Sequence, residues 1–396
     1  MEKNKIITIS GQPVTGKGTT VKRIIDKLKE QGYSEENIHI ITAGNEFREY
    51  FESIYEFIKK YTDTEQVEYL KENEKLRVFF EKKEYRDILI NTIIELRKSD
   101  IDINKLTITD ALSLKELKAL RVEIDNIIDS KIENIGREIN SVSRPNEIWI
   151  IDSRLAFHNI PESFAVRLTS NPQVAAERYF NDKSRKKEDS YGSVEEAYEA
   201  REERRKAEQS GYIKRYGVDL EDEDNYNLII DTSYSTTEDI SDTILICLDY
   251  YIDNKFFSKK WASPKTFLPL QRELDTLKLG GMYSLEEMEQ IINEEGYDPS
   301  SAISVVEVDG IKYIIEGHHR NFATSKLKKT LIPYEIIARD DEELPFTKQT
   351  ARERANSVKC SYLWYHEEFI DKDFHYEEIY PNIFNMIKER DAKEGR

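Results

Sequence analysis

At 396 residues the chain is longer than one hydrophobic core usually serves, so two or three domains are expected. Its 77 acidic against 59 basic residues give a formal net charge of -18, which repels a polyanion and disfavours generic nucleic-acid binding. Two cysteines too far apart for a metal knuckle, and no apolar run long enough to span a bilayer, make a reducing cytoplasm the expected setting and leave no membrane partner.

The β-branched run Lys5 to Ser10 predicts a first strand, and the apolar positions Val21, Ile24, Ile25 and Leu28 predict a helix over Thr19 to Gln31. Between them lies Gly11-Gln12-Pro13-Val14-Thr15-Gly16-Lys17-Gly18-Thr19-Thr20, a P-loop by pattern and by place. Glycines let such a loop curl its backbone N–H groups toward phosphate oxygens, the helix start adds its dipole, and Lys17 adds a mobile charge. Gly11, Thr15, Gly16, Lys17, Gly18, Thr19 and Thr20 are therefore the expected nucleotide-binding residues. The strict pattern has Ser or Thr directly after the lysine; here Gly18 intervenes and Thr19 takes the magnesium-binding role.

Ile38 to Thr42 predicts a second strand, and Glu46 to Ile139 reads as inserted helix, broken near Asp100 to Asp110. Glu147 to Ile151, Phe164 to Leu168 and Leu228 to Asp231 are further strands with charged helices between them. That alternation predicts an α/β fold with a parallel sheet. The texture changes between Asp253 and Pro264. Beyond it Ile303 to Val308 and Ile311 to Ile315 flank Asp309-Gly310, a hairpin signal, followed by a helix over Asn321 to Lys328 and a strand over Ile332 to Ala338. From Phe346 onward the chain reads as polar helix with Trp364, Tyr365 and Phe369 as anchors.

The segments Ala43-Gly-Asn-Glu-Phe-Arg48, Asp152-Ser-Arg154-Leu-Ala, Arg201-Glu-Glu-Arg204-Arg205 and Asn227-Leu-Ile-Ile-Asp231-Thr232, in that order after the loop, resemble those of the archaeal-type cytidylate kinases, a branch of the P-loop nucleoside monophosphate kinases. The resemblance implies that Arg48 and Arg154 hold an acceptor phosphate, that Asp152 with Thr19 holds magnesium, and that Arg178 and Arg215 close over the transferring group beside Lys17. Its departures are the Gln-Pro-Val-Thr loop interior, Ser153 in place of Gly, and a long insert about 51–117, which leave the acceptor open.

A second motif, Glu316-Gly317-His318-His319-Arg320, opens a helix after a strand, the form of another anion site. With Pro269-Leu-Gln271-Arg272 before it, the stretch resembles the ParB/sulfiredoxin-like domains, closest to the free serine kinase form. That resemblance puts Gly317, His318, His319 and Arg320 on phosphate and gives Glu316 a base or magnesium role. The expected organisation is thus a P-loop kinase sheet with helical insert over 1–255, a smaller α+β ParB/sulfiredoxin-like domain over 256–345, and a helical extension over 346–396. The expected activity is an ATP- and magnesium-dependent phosphotransferase acting on a nucleotide or other small phosphorylated metabolite. Its alternatives are a bifunctional kinase with a second activity in the C-terminal domain, and a nucleotide-responsive or DNA-associated regulator.

Overall fold

A computed structural model describes residues 4–60, 74–181, 191–270 and 284–356. The expected tail helix beyond 356, with Trp364, Tyr365 and Phe369, lies outside the described residues, as do Gln271 and Arg272. Contacts divide the chain into two compact units. The first is Met1–Val14, Lys29–Ala165 and Pro172–Asn225, and the second is Thr15–Leu28, Val166–Asn171 and Tyr226–Arg396. The fold is α/β with mixed, mostly parallel strand pairing, as the alternation predicts.

In the first unit, strands β1 (Lys5–Gly11), β2 (Ile38–Thr42) and β3 (Ile148–Asp152) pair in parallel in the order β2-β3-β1. β1 is buried on both faces, with Ile6, Ile7 and Ile9 at 0–1% exposure, which is why it reads as a continuous apolar run. The register sets Ile9 and Thr42 opposite Asp152, so β2 and β3 end at one level and β1 runs on past it to Gly11. The expected helical insert is α2 (Ala43–Lys60), α3 (Glu74–Glu81), α4 (Lys83–Lys98), α5 (Ile108–Ser113) and α6 (Lys118–Ser141). The break expected near residue 100 is there, and the chain restarts at α5 through a Thr107–Asp110 capping box.

α6 carries a spine of Leu120, Ile124, Ile128, Ile132, Gly136 and Ile139 into a core shared with Phe51, Ile54 and Phe79. Gly136 is required by close approach: a Cβ there would lie 2.7 Å from Ile160 Cγ1. After α7 (Ala156–Asn159) come α8 (Pro172–Asn181) and α9 (Val194–Tyr216). Ser193 caps α9 by accepting from the Glu196 N–H, and Gly217, left-handed at φ 68°, ends it. Among α9 residues only Ala197 is fully buried. Such a helix is held by polar contacts rather than by a greasy face.

In the second unit the order is β4-β5-β6-β10-β8-β9-β7, with β4 (Phe164–Thr169), β5 (Leu228–Asp231), β6 (Lys260–Ala262), β7 (Phe267–Pro269), β8 (Ile303–Val308), β9 (Ile311–Glu316) and β10 (Ile332–Arg339). Helix α1 (Lys17–Glu30) is tied to α10 (Thr237–Ile252) by Lys27 to Asp242 at 2.7 Å and Arg23 to Glu238. Asp309 (φ 52°) and Gly310 (φ 80°) both take left-handed backbone, which makes the β8–β9 connection a type I′ hairpin. Two more helices follow, α11 (Leu285–Glu295) and α12 (His318–Lys326). α12 starts three residues before the expected Asn321, because left-handed Gly317 turns the chain directly from β9 into it. The described part of the extension is α13 (Ala351–Asn356).

Candidate functional site

The loop after β1 is bent by backbone that side chains rarely adopt: Gly11, Val14 and Gly16 have φ of 150°, 60° and 83°. A β-branched residue at positive φ is strained, and such strain persists where a fixed loop shape is needed. In the second unit the exit of the loop is pinned. Thr232 Oγ1 donates to the Thr15 carbonyl at 3.2 Å, and Thr19 Oγ1 donates to the Gly16 carbonyl at 3.1 Å, so in this state the Thr19 hydroxyl is used within its own helix start. Lys17 is the first residue of α1 and half-buried, while Gly18 and Thr19 are exposed and Thr20 is buried.

In the first unit the loop residues Gln12 and Pro13 line a crevice with Tyr179, Tyr191 and the α9 residues Arg201, Arg204, Arg205 and Glu208. These four α9 positions recur at helical spacing, so one face carries three guanidiniums and one carboxylate. Glu208 pairs with Arg154, and with Arg204 at 2.9 Å. Arg205 is held by Glu202 at 3.0 Å and by Glu221. The Arg201 guanidinium is brought below the usual arginine range by desolvation, a burial cost that an anion in the crevice would offset. Ser10 Oγ donates to the Arg154 carbonyl at 3.2 Å, which fixes the turn after β3 to the end of β1.

A carboxylate pair one helical turn apart on α6 faces the C-terminal end of α9. Asp125 Oδ2 lies 3.5 Å from Arg215 Nη1, and Tyr216 donates to Asp129 Oδ2 at 2.6 Å. Desolvation, with Asp129 adding to it, pushes the Asp125 carboxyl up to about 6 against the opposing charges of Arg215 and Arg154. Desolvation also raises the Asp129 carboxyl and pushes the Tyr212 phenol up to about 12. Beside this pair a cleft of about 730 Å³ runs between α6 and the His158–Glu162 segment, lined in part by Asp129, Glu133, Arg137, His158 and Tyr216.

A raised carboxyl has a definite pH signature. Asp125 holds its proton longer in the folded state than at its unfolded value of 3.8, so its contribution is present below that pH and is lost as pH rises through about 6. Asp125→Asn is expected to flatten the dependence of the melting temperature on pH across this window. Solvent screening of a side chain 47% exposed keeps the difference below about 1 kcal/mol. Parallel melts of the two proteins from pH 4 to 7 give the comparison; identical slopes would show that the carboxyl is not displaced.

Asp152 ends β3, half-buried. Arg48 is exposed on the second turn of α2 and donates to Asn45 Oδ1 at 3.0 Å, whereas Arg154 is half-buried and engaged with Glu208. Arg178 lies half-buried in the last turn of α8, and Arg215 is exposed in the last turn of α9. In the second unit Glu316 is the exposed last residue of β9 and Gly317 the left-handed cap of α12. His318 is buried, its Nε2 accepts from the Leu270 N–H at 3.1 Å, and desolvation brings it down to about 4, so it is neutral at pH 7. His319 is half-buried. Arg320 donates to the carbonyls of Ser301 and Ala302 at 3.0 and 2.7 Å. Among the described residues no group of three or more His, Cys, Asp or Glu is placed to hold a metal, and no helix is long and apolar enough to cross a membrane. Asp125, Asp129, Glu208 and Tyr216 were not singled out from the sequence. Their only signal there is the fourfold spacing of Asp125 with Asp129 and of Arg204 with Glu208.

No protein-family profile matches the chain. A curated protein of Lacinutrix mariniflava described as an S-adenosylmethionine-dependent nucleotide dehydratase is 26% identical over 239 residues, 60% of this chain and 35% of that protein. The chain thus spans about a third of the length of the relative it matches. Among solved structures, an uncharacterized protein from Eubacterium ventriosum aligns with 64% of the chain and all of its own length at 12% identity and a TM-score of 0.32. One from Thermus thermophilus aligns with 51% of the chain and 81% of its own length at 15% identity and a TM-score of 0.25.

The relative corrects the expected activity. It is a dehydratase and S-adenosylmethionine-dependent, so the phosphotransferase reading with ATP and magnesium is overturned, and with it the cytidylate-kinase-like activity, the bifunctional form and the regulator alternative. The physical reason is that a glycine loop at a helix start reports the holding of a phosphate and says nothing of the bond that breaks.

Proposed function

We propose that this chain binds a nucleotide through its phosphate groups at the crevice of Gln12, Pro13 and the α9 arginines, and that it works in nucleotide dehydration, the chemistry named for its Lacinutrix relative. The observation that carries the reading is the gathering of Arg201, Arg204 and Arg205, with Arg154 through Glu208, at the loop that follows β1. Planar guanidiniums on a helix face suit phosphate oxygens, which they meet in pairs.

Elimination of water needs one group to give a proton to the departing hydroxyl and another to accept one. A carboxyl near 6, such as Asp125 within electrostatic reach of Arg154, populates both forms near neutrality and suits either task. S-Adenosylmethionine is positively charged at sulfur, and the guanidinium-lined crevice repels it. The described thiol, Cys247, is buried in α10 and shifted well above the ordinary thiol range by desolvation, which makes it a poor ligand or nucleophile. The described residues therefore do not fit S-adenosylmethionine at this crevice.

The test is a calorimetric titration with a matched series of nucleoside, monophosphate, diphosphate and triphosphate, followed by mass analysis of each nucleotide incubated with the protein and S-adenosylmethionine. Phosphorylated members are expected to bind, the bare nucleoside not, and the product to be lighter by one water. Equal affinity for the nucleoside would sink phosphate recognition, and unaltered nucleotide would remove the dehydration part.

A further inference from the structure

We infer that Glu208 is a built-in occupant of the phosphate subsite: its carboxylate holds Arg154 and Arg204 in the free protein, and a ligand phosphate takes over both guanidiniums on binding. The inference rests on the phosphate recognition proposed above and adds how that site is gated.

Glu208 gives one carboxylate oxygen to each arginine, Oε2 to Arg154 Nη1 and Oε1 to Arg204 Nε at 2.9 Å. One anion bridging two guanidiniums through separate oxygens is also how a phosphate monoester would be held. The pair is drawn from two elements, since Arg154 follows β3 while Arg204 and Glu208 belong to α9. The bridge therefore clips α9 to the strand end. α9 has little else to hold it there by apolar contact, with Ala197 its one fully buried residue.

Space decides between a phosphate sitting beside Glu208 and one replacing it. The crevice leaves about 20 Å³, room for a water molecule and too small for a phosphate group. Both guanidiniums already engage Glu208, so a phosphate that takes these two donors displaces the carboxylate. Charge points the same way: a dianion brought against Glu208 would be repelled, whereas a dianion in its place meets Arg154 and Arg204, which Glu208 now holds, and the neighbouring Arg201. The side chains of Arg154 and Glu208 are 23% and 26% exposed, so their contact is partly shielded from solvent, and competition between anions for it carries weight. The outcome is a site that discriminates by charge. Singly charged anions exchange poorly with a carboxylate already in place, while a phosphate dianion gains over it.

The experiment compares wild type, Glu208→Gln and Glu208→Asp in calorimetric titrations with inorganic phosphate and with a nucleoside monophosphate. Glu208→Gln, which keeps the shape and removes the competing charge, is expected to bind about tenfold more tightly. Glu208→Asp keeps the charge but is too short to reach both arginines and is expected to fall between the two; it also supplies the readout should the glutamine variant loosen α9. In the free state both variants are expected to melt below wild type, so tighter binding would accompany a weaker fold, which a purely structural ion pair does not produce. Equal or weaker phosphate affinity in both variants, with wild type binding normally, overturns the gate and leaves phosphate recognition standing. Absence of binding by all three proteins overturns both.

Discussion

Arg154→Met is expected to weaken binding of a nucleoside monophosphate by about 10- to 100-fold, the range for losing a charge-assisted hydrogen bond at 1.5–3 kcal/mol. Methionine keeps the unbranched stem of the side chain and removes the guanidinium. The turn itself should survive, because Ser10 grips the Arg154 carbonyl and not its side chain. The loss should be largest for phosphorylated ligands and absent for the bare nucleoside, a contrast that general misfolding would not give. Unchanged monophosphate affinity would move phosphate recognition away from the end of β3. The same substitution also frees Glu208 from its partner there, so part of the loss reflects a carboxylate left in the crevice without Arg154.

Gly317→Val is the second large effect, and it concerns stability. Gly317 has φ of 99°, and a Cβ there would lie 2.5 Å from Ile303 Cγ2 and 3.2 Å from the Ile303 backbone. Left-handed backbone costs an L-residue about 1–2 kcal/mol, and forcing a side chain against a packed strand costs about 1–3 kcal/mol more. A destabilisation of about 3 kcal/mol is expected, confined at first to β8, β9 and α12. Amide hydrogen exchange across Ile303–Glu316 reads it directly, since protection there should fall while that of β1 and β3 is kept. Intact protection of the hairpin would show that the turn can relax at little cost.

How far the sequence could be read varies along the chain for physical reasons. The Asp309–Gly310 hairpin was legible because its geometry is local: two consecutive positive φ values demand residues that tolerate them. The strands β1, β3, β4 and β5 were legible because burial on both faces leaves continuous apolar runs. The start of α12 is hidden in the sequence because His318 and His319 look like loop residues until Gly317 is seen to cap the helix.

The site was legible only in part. Its loop announces itself through glycine spacing, but Asp125 and Asp129 lie in a charged helix whose sequence is that of any solvated face. Only the arrival of Arg215 and Tyr216 from α9 distinguishes them, and no local pattern encodes that. The reaction was misread for a related reason. Phosphate recognition leaves a compact signature in the chain, while the bond to be broken is decided by side chains brought together from distant positions.

The pairing of β1 with β3 has a consequence for how the protein is made. Lys5 lies opposite Ile148, with the whole of α2 to α6 between them in sequence. Closing so large a loop is entropically costly until something shortens the effective distance, and here that is the helical core around Leu120, Ile124 and Phe51. As the chain leaves the ribosome its first strand emerges long before its partner. The insert would then condense ahead of the sheet, and the apolar run from Ile6 to Ile9 would stay exposed as an unpaired edge through the interval in which aggregation is most threatening.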